Sequence, residues 1–244
     1  MPSATLVGYQ RMSELIVGVA DHVIRFLAWM RRNRLLKVPA DTELRVNLGP
    51  GLSAVEGWIN IDASLHALFS KFPRIVRKLL YNVSAEAKKA YSLEEYLYMT
   101  GHCAFVHHNL LYGIPFPDET VDYLYSSHFL EHLYQNDAKR LMKEAYRVLK
   151  SGGYIRISVP NLEFALSLYL SGDREHALEY FFVPSSCRYF SRHHYMYDFE
   201  LLCDLLRESG FIDIRRCSFR QGNVPDVDRL DNRPEESLYV EAKK

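Results

Sequence analysis

The stretch LRVNLGPGLSAVEGWINID, residues 44–62, decides the fold. LRVNL (44–48) is a short apolar strand that runs straight into Gly49-Pro50-Gly51, and WINID (58–62) is a second strand ending on an acid. In an open α/β sheet, ligands sit at the carboxyl ends of the strands near the point where strand order reverses. Glycines there let the backbone approach a ligand closely, and an acid closing the next strand can accept both hydroxyls of a ribose. Two glycines alone are explained equally well by a tight turn; the acid makes the difference. Asp62 falls 11 residues after Gly51, nearer than the ~20 of a dinucleotide fingerprint. Ser53, following Leu52, also denies the turn a third glycine for a pyrophosphate. A ligand with a ribose but no diphosphate suits the segment better than NAD.

Outward from this pair the pattern alternates. A helical stretch of about 40 residues leads to AFVHHNL (104–110), a third strand, and the turn PFPDET precedes VDYLYSS (121–127), a fourth. Residues 137–149 are expected to form a helix with the stripe Leu141, Met142, Ala145, Val148 and Leu149, with Lys139, Arg140, Lys143 and Arg147 on the wet side and Gly152-Gly153 as its stop. YIRISVP (154–160) is a fifth strand. Asp198 caps a further helix that Gly210 ends. IDIRRCSF (212–219) and SLYVEA (237–242) close the pattern, with no helix between them, so one is expected to run antiparallel. The fold class is therefore α/β, a mostly parallel sheet with helices on both faces. The chain divides into an N-terminal helical extension, 1–43, and one domain, 44–244, with insertions near 63–103 and 161–196.

Thirty Lys and Arg against thirty Asp and Glu leave no formal charge, which excludes the basic excess of a dedicated nucleic-acid binder. The four cysteines (Cys103, Cys187, Cys203, Cys217) form no C-x-x-C pair and read as reduced thiols. No apolar run reaches the ~18 residues of a membrane span, and no export signal is seen, so a cytoplasmic protein is expected. The zero is an average over unlike segments. Within residues 1–40, six basic residues face two acidic ones, a net of +4, on an amphipathic helix of Leu15, Ile16, Val19, Val23, Ile24 and Leu27. KFPRIVRKLL and AKKA, within 71–90, add a second basic stretch. These are either solvated helix faces or surfaces drawn to a membrane or an anionic carrier.

The segment HHNLLYGIPFPDETVDYLYSSHFLEHL (107–133) carries the chemistry. Asn109 lies at a strand end, where its amide could read an adenine edge through donor and acceptor. Ser126, Ser127 and His128 emerge at the carboxyl end of the fourth strand, in the same crevice as Gly49 and Asp62. VNLGPG, GWINID, HHNL, this segment and VLKSGGYIRISVPN together resemble a class I S-adenosylmethionine-dependent methyltransferase of the type 11 group, over about residues 44–244. The resemblance implies a Rossmann-like fold with a seven-stranded sheet, one strand antiparallel, and S-adenosyl-L-methionine as cofactor. It also implies that Gly49 and Gly51 pack against the cofactor's methionine part, that Asp62 holds the ribose, that Asn109 and Leu110 flank the adenine, and that Ser127 and His128 line the methyl-transfer side. Asn47 and Asn109 stand where acids are usual, Asn47 towards the cofactor's amino group; Asn can make both contacts.

HFLEH (128–132) also matches H-x-x-E-H, an inverted zinc-protease motif. That chemistry needs both histidines one turn apart on a helix plus a third ligand, and His128 sits at a strand–helix junction, so no metal is expected. Glu131 is read either as a cap or salt bridge with His132 packing, or as a partner when His128 or His132 takes a proton from an acceptor hydroxyl. SRHHYMYD (191–198) lies in the insertion over the same side, where Arg192, His193, His194 and Tyr195 shape an acceptor pocket or tie the insertion down; the adjacent YFFVPSSCRYF is apolar enough for a core. The reading reached is methyl transfer to a hydroxyl of a small-molecule or sugar/glycan-type acceptor. The alternative is a non-catalytic methyltransferase-like subunit docked to a membrane or partner enzyme.

Overall fold

A computed structural model describes residues 26–27, 29–30, 32–38, 42–182 and 192–244. Its strands are β1 (Arg45–Leu48), β2 (Ile59–Asp62), β3 (Ala104–His107), β4 (Val121–Ser127), β5 (Leu149–Pro160), β6 (Ile212–Cys217) and β7 (Ser237–Lys243). They form one sheet in the order β3-β2-β1-β4-β5-β7-β6. The pairs from β3 to β5 are all parallel, whereas β7 runs antiparallel to both β5 and β6. The chain steps outward from β1 through β2 to β3, then returns to place β4 on the other side of β1. Strand order therefore reverses between β1 and β4, which opens a crevice at their carboxyl ends. Leu48 pairs with Ser126 and Asp62 with His107, so Gly49, Asp62 and Ser127 emerge along one edge.

Helices α1 (Leu65–Phe69), α2 (Arg74–Val83), α3 (Ala85–Ala90) and α4 (Leu93–His102) fill the segment between β2 and β3, followed later by α5 (Gln135–Val148), α6 (Leu162–Ser171), α7 (Arg174–Glu179), α8 (Phe199–Glu208) and α9 (Val227–Leu230). Central strands buried on both faces are apolar in runs. Val46, Leu48, Ile61, Leu124, Ile155, Ile157 and Val240 are fully buried, and they pack in one core with Leu141, Met142, Ala145 and Val148 of α5 and Leu202 and Leu206 of α8. The helices before β3 make a smaller core of Ala67, Ala87, Tyr96, Leu97, Met99 and Phe105. Capping sets the helix starts: Ser92 and Glu95 form a reciprocal capping box on α4, and Asp198 accepts from Leu201 N on α8.

Three local expectations change. The helix before β5 ends at Val148, and Gly152-Gly153 do not stop it. Leu149 is already extended and pairs with Val121, and the glycines lie inside β5 where its register against β4 shifts. A Cβ at position 153 would come within 2.9 Å of the Asp122 carbonyl, so the close approach of strand backbones requires glycine there. Arg147 is not on a wet face: it donates to the carbonyls of Ile114 and Phe116 and pairs with Asp118 and Glu144, fastening the turn before β4. Phe182, expected in a core, is exposed.

The N-terminal amphipathic helix lies for its greater part outside the described residues, as do Cys187 and the rest of 183–191. Leu36 and Val38 pack on the main core, and Leu36 N–H donates to the Pro115 carbonyl at 2.8 Å. Cys103, Cys203 and Cys217 are free thiols, each pushed up in pKa by burial. No helix among the described residues is long and apolar enough to cross a membrane.

Candidate active site

Gly49 and Gly51 both adopt left-handed backbone, with φ of 67° and 56°, yet for different reasons. A Cβ on Gly49 would lie 2.3 Å from the Phe129 ring, so this position is glycine because an aromatic side chain covers it. A Cβ on Gly51 would meet nothing within 4 Å; its face opens into the crevice. The Asp62 carboxylate ties the loop together, accepting from Gly51 N at 2.8 Å and Ser64 N at 2.7 Å. Each carboxylate oxygen keeps a further lone pair. Asn47 is buried in β1 and donates to Asn60 Oδ1 at 3.1 Å, while its own Oδ1 is buried without a partner. A bare glycine face, a half-exposed carboxylate and an orphaned acceptor suit a ligand that brings hydroxyls and an amino group.

Asn109 spends its acceptor internally: Oδ1 caps the turn Leu110–Tyr112 through Leu111 N at 2.9 Å. The Leu110 side chain is buried in the main core. Ser127 ends β4 beside Ser158 of β5. His108 does not join the other histidines. Its Nε2 is 3.0 Å from the Gly113 carbonyl, its pKa is lowered by burial, and it lines a separate cavity of about 140 Å³ with Leu36, Phe105 and Pro115.

His128 follows β4 with φ of +48°, a left-handed backbone uncommon outside glycine and associated with functional sites. Its N–H donates to the Ser158 carbonyl at 2.9 Å, and Nε2 is 2.8 Å from Ser237 Oγ. The next turn, Leu130–His132, is 3₁₀, so His128 and His132 are not helical i, i+4 neighbours. Glu131 is buried between them, with Oε1 3.4 Å from His128 Nδ1 and 3.9 Å from His132 Nε2. Burial by itself raises the Glu131 carboxyl, but the approach of His128 at 3.4 Å, with His132 behind it, holds it below the ordinary carboxylate value. Arg233 Nη1 comes within 3.5 Å of His128 Nδ1.

Residues 192–197 lie against this cluster. The main-chain N–H groups of His194 and Tyr195 donate to the Glu131 carbonyl at 2.7 and 3.2 Å. His132 Nδ1 is 3.1 Å from the Arg192 carbonyl, the His132 and His193 rings are 5.1 Å apart, and His194 stacks on Tyr134 at 4.2 Å. His128, Glu131, His132, His193, His194 and Tyr195 are thus gathered, as is the Arg192 backbone. Sequence reasoning missed Phe129 over Gly49, and Ser237 and Arg233 beside His128. No spacing signal links residues 80 or more positions apart. A cavity of about 790 Å³ lined by Arg74, Arg77, Tyr98 and His102 shares no residue with this site.

The fold is an α/β domain whose topological switch point lies between β1 and β4, the place where open sheets of this kind take their ligands. Residues 74–157, about a third of the chain, match the family model described as a methyltransferase domain, of the type 11 group. No curated protein matches the chain in sequence. Among solved structures, the chain is similar to a SAM-dependent methyltransferase of Thermotoga maritima (17% identity, 96% of this chain and 95% of that one, TM-score 0.47). It is also similar to one of Archaeoglobus fulgidus (16%, 97% and 99%, 0.46) and one of Mesorhizobium loti (19%, 85% and 94%, 0.46). Residues 74–157 thus match a methyltransferase domain of the type 11 group, a class of domain that works with S-adenosylmethionine.

Proposed function

We propose that the protein methylates a hydroxyl of a small-molecule acceptor of sugar or glycan type, with His128 removing the proton. The observation that carries this reading is the wall of titratable and aromatic groups beyond β4, where His128 and Glu131 face His132, His193, His194 and Tyr195. When bound, S-adenosylmethionine supplies a methyl group on a sulfonium, open to in-line displacement. The protein's work is then to position the acceptor and take its proton. Asp62 would hold the ribose, Asn47 Oδ1 the amino group, and Asn109, Leu110 and Ser127 the adenine and transfer sides, with Gly49 and Gly51 keeping the backbone bare. Glu131, beside His128 Nδ1, stabilises the imidazolium formed when His128 accepts a proton. Arg192 and Tyr195 offer donors, and the rings of His193 and His194 offer flat faces, to a sugar ring. The balanced charge favours a small acceptor over a nucleic acid, and a cytoplasmic setting is part of the same proposal.

Heat stabilisation by millimolar S-adenosylhomocysteine, followed by radiolabelled methyl transfer into fractionated extract and mass identification of the product, tests the reading. Absence of stabilisation overturns it in favour of a non-catalytic methyltransferase-like subunit. His128→Asn keeps a residue that tolerates left-handed backbone; turnover should fall about 10²–10⁴-fold with S-adenosylhomocysteine binding unchanged. Undiminished turnover removes His128 from the base role.

A peripheral membrane contact is a second proposal, supported by α2. This helix turns Ile75, Leu79 and Val83 outward, 69%, 61% and 78% exposed, with Phe72, Lys71, Arg74 and Lys78 alongside. An apolar stripe with basic flanks is the composition of a helix that lies on an anionic surface. The protein should sediment with phosphatidylserine vesicles but not with neutral ones, and Leu79→Glu should abolish this; failure of the parent to sediment overturns it.

A further inference from the structure

We infer that Glu131, His132 and His193 form a binding site for one divalent transition-metal ion of the zinc type, on the acceptor side of the cofactor crevice. One ligand atom from each lies within 4.8 Å of the other two, and among the described residues no other set of three His, Cys, Asp or Glu does so. Four observations point to a cation rather than to mere proximity.

The first is Glu131 itself. Its side chain is 1% exposed, and neither carboxylate oxygen has a well-formed hydrogen bond. A buried, underpaired carboxylate is costly, and a cation relieves that cost directly. The second is tautomer control. His132 Nδ1 is 3.1 Å from the Arg192 carbonyl and His193 Nδ1 is 2.6 Å from the Tyr180 carbonyl. A carbonyl only accepts, so each Nδ1 carries the proton and each Nε2 keeps its lone pair. Backbone carbonyls holding the far nitrogen are how ligating imidazoles are oriented.

The third is anchoring. The main chain of Glu131 accepts from His194 N and Tyr195 N, so the segment bearing His193 is fastened to the turn bearing Glu131 and His132. The fourth is donor chemistry. Two imidazoles and one carboxylate suit zinc, cobalt or iron better than magnesium or calcium, and three protein ligands leave a position open. The H-x-x-E-H spacing pointed to His128 as the partner of His132; the fold replaces it with His193, 61 positions further along the chain. His128 stays free of the ligand set, facing Glu131 and Ser237.

The site stands on its own geometry. Its use, which rests on the acceptor reading above, is to hold the acceptor oxygen at the open position and lower its pKa, so that His128 takes a proton from a more acidic hydroxyl.

The untagged full chain, stripped with chelator, should bind one equivalent of Zn²⁺ by calorimetry and show visible d–d absorption on adding Co²⁺. His193→Gln, in a half-buried ring, and Glu131→Gln, which preserves shape, should each lower Zn²⁺ affinity by at least the roughly 10–100-fold that outer-shell changes cost. His176→Gln, on an exposed helix, should leave it unchanged. Absence of stoichiometric binding in the parent, or undiminished binding in His193→Gln, overturns the site. Stabilisation by S-adenosylhomocysteine is read on the same samples. If it persists while metal binding fails, the cation alone is refuted; if both fail, the methyltransfer reading falls as well.

Discussion

Gly49→Ala and Gly51→Ala differ by one methyl group on the same turn, and the structure predicts opposite phenotypes. At Gly49, φ of +67° and a Cβ 2.3 Å from Phe129 act together. Left-handed backbone costs a non-glycine residue roughly 1–2 kcal/mol, and forcing a methyl into a packed aromatic adds about 1–3 kcal/mol. The expected loss of about 2–5 kcal/mol is a large part of the ~5–15 kcal/mol that holds a domain together. At about 2–4 °C per kcal/mol for a chain of this size, the melting temperature should drop by roughly 4–20 °C. At Gly51 the backbone cost is similar, but the methyl meets nothing and projects into the crevice. Stability should fall by only about 1–2 kcal/mol, and S-adenosylhomocysteine affinity should carry the larger effect. Thermal melts and calorimetric titration of both variants separate the two. If Gly49→Ala melts like the parent, or Gly51→Ala binds cofactor product as the parent does, the assignment of one glycine to packing and the other to the ligand is wrong.

Asp62→Ala removes the acceptor for both Gly51 N and Ser64 N as well as the group assigned to the ribose, so stabilisation by S-adenosylhomocysteine should disappear; stabilisation equal to the parent's would displace Asp62 from the cofactor site. Arg156→Met leaves Asp231 and Glu241 buried without their shared guanidinium, and urea unfolding should show a loss of about 3–5 kcal/mol; a change below 1 kcal/mol would contradict this. Glu241 is raised by burial but held net below its ordinary value by Arg215, by the Asn223 and Val224 N–H groups and by Arg156, and Glu144 is lowered by its bond to Arg147. A depressed folded pKa contributes stability that is complete above the unfolded value, about 4.3, and is lost as pH falls through the folded value. Melting temperature should therefore decline on acidification below about pH 4.3, and Glu241→Gln should flatten that decline while starting lower.

Most of the sheet was legible because its strands are short apolar runs bounded by glycine, proline and acids, and because residues 219–237 show no helical stripe long enough for a parallel crossover. The helix expected to be absent there is in fact α9, but its four residues are too few to carry the chain back across the sheet. Gly152-Gly153 misled because helix stops and strand bulges use the same residue for the same reason, freedom from Cβ sterics. Arg147 was placed on the wet side of α5 because helical periodicity cannot see a turn thirty residues earlier in the chain folding back against it. In the site, Gly49, Asp62 and His128 were legible as strand-end residues. His193 as the companion of His132 was not, because periodicity speaks only of neighbours along the chain. Arg156 did leave a trace: an arginine between Ile155 and Ile157 in a buried strand demands buried acids elsewhere, and Asp231 and Glu241 supply them.

The place of β7 sets an order of events. It is the last of the seven strands in sequence, yet it lies between β5 and β6. During synthesis, β1 to β5 and the cofactor crevice can assemble while β6 still has no strand to pair with. Ser237, the first residue of β7, is the group that meets His128 Nε2. The contact that steadies the proposed base is therefore the last to become possible along the chain: it cannot form until residues 237–243 have slotted into the sheet.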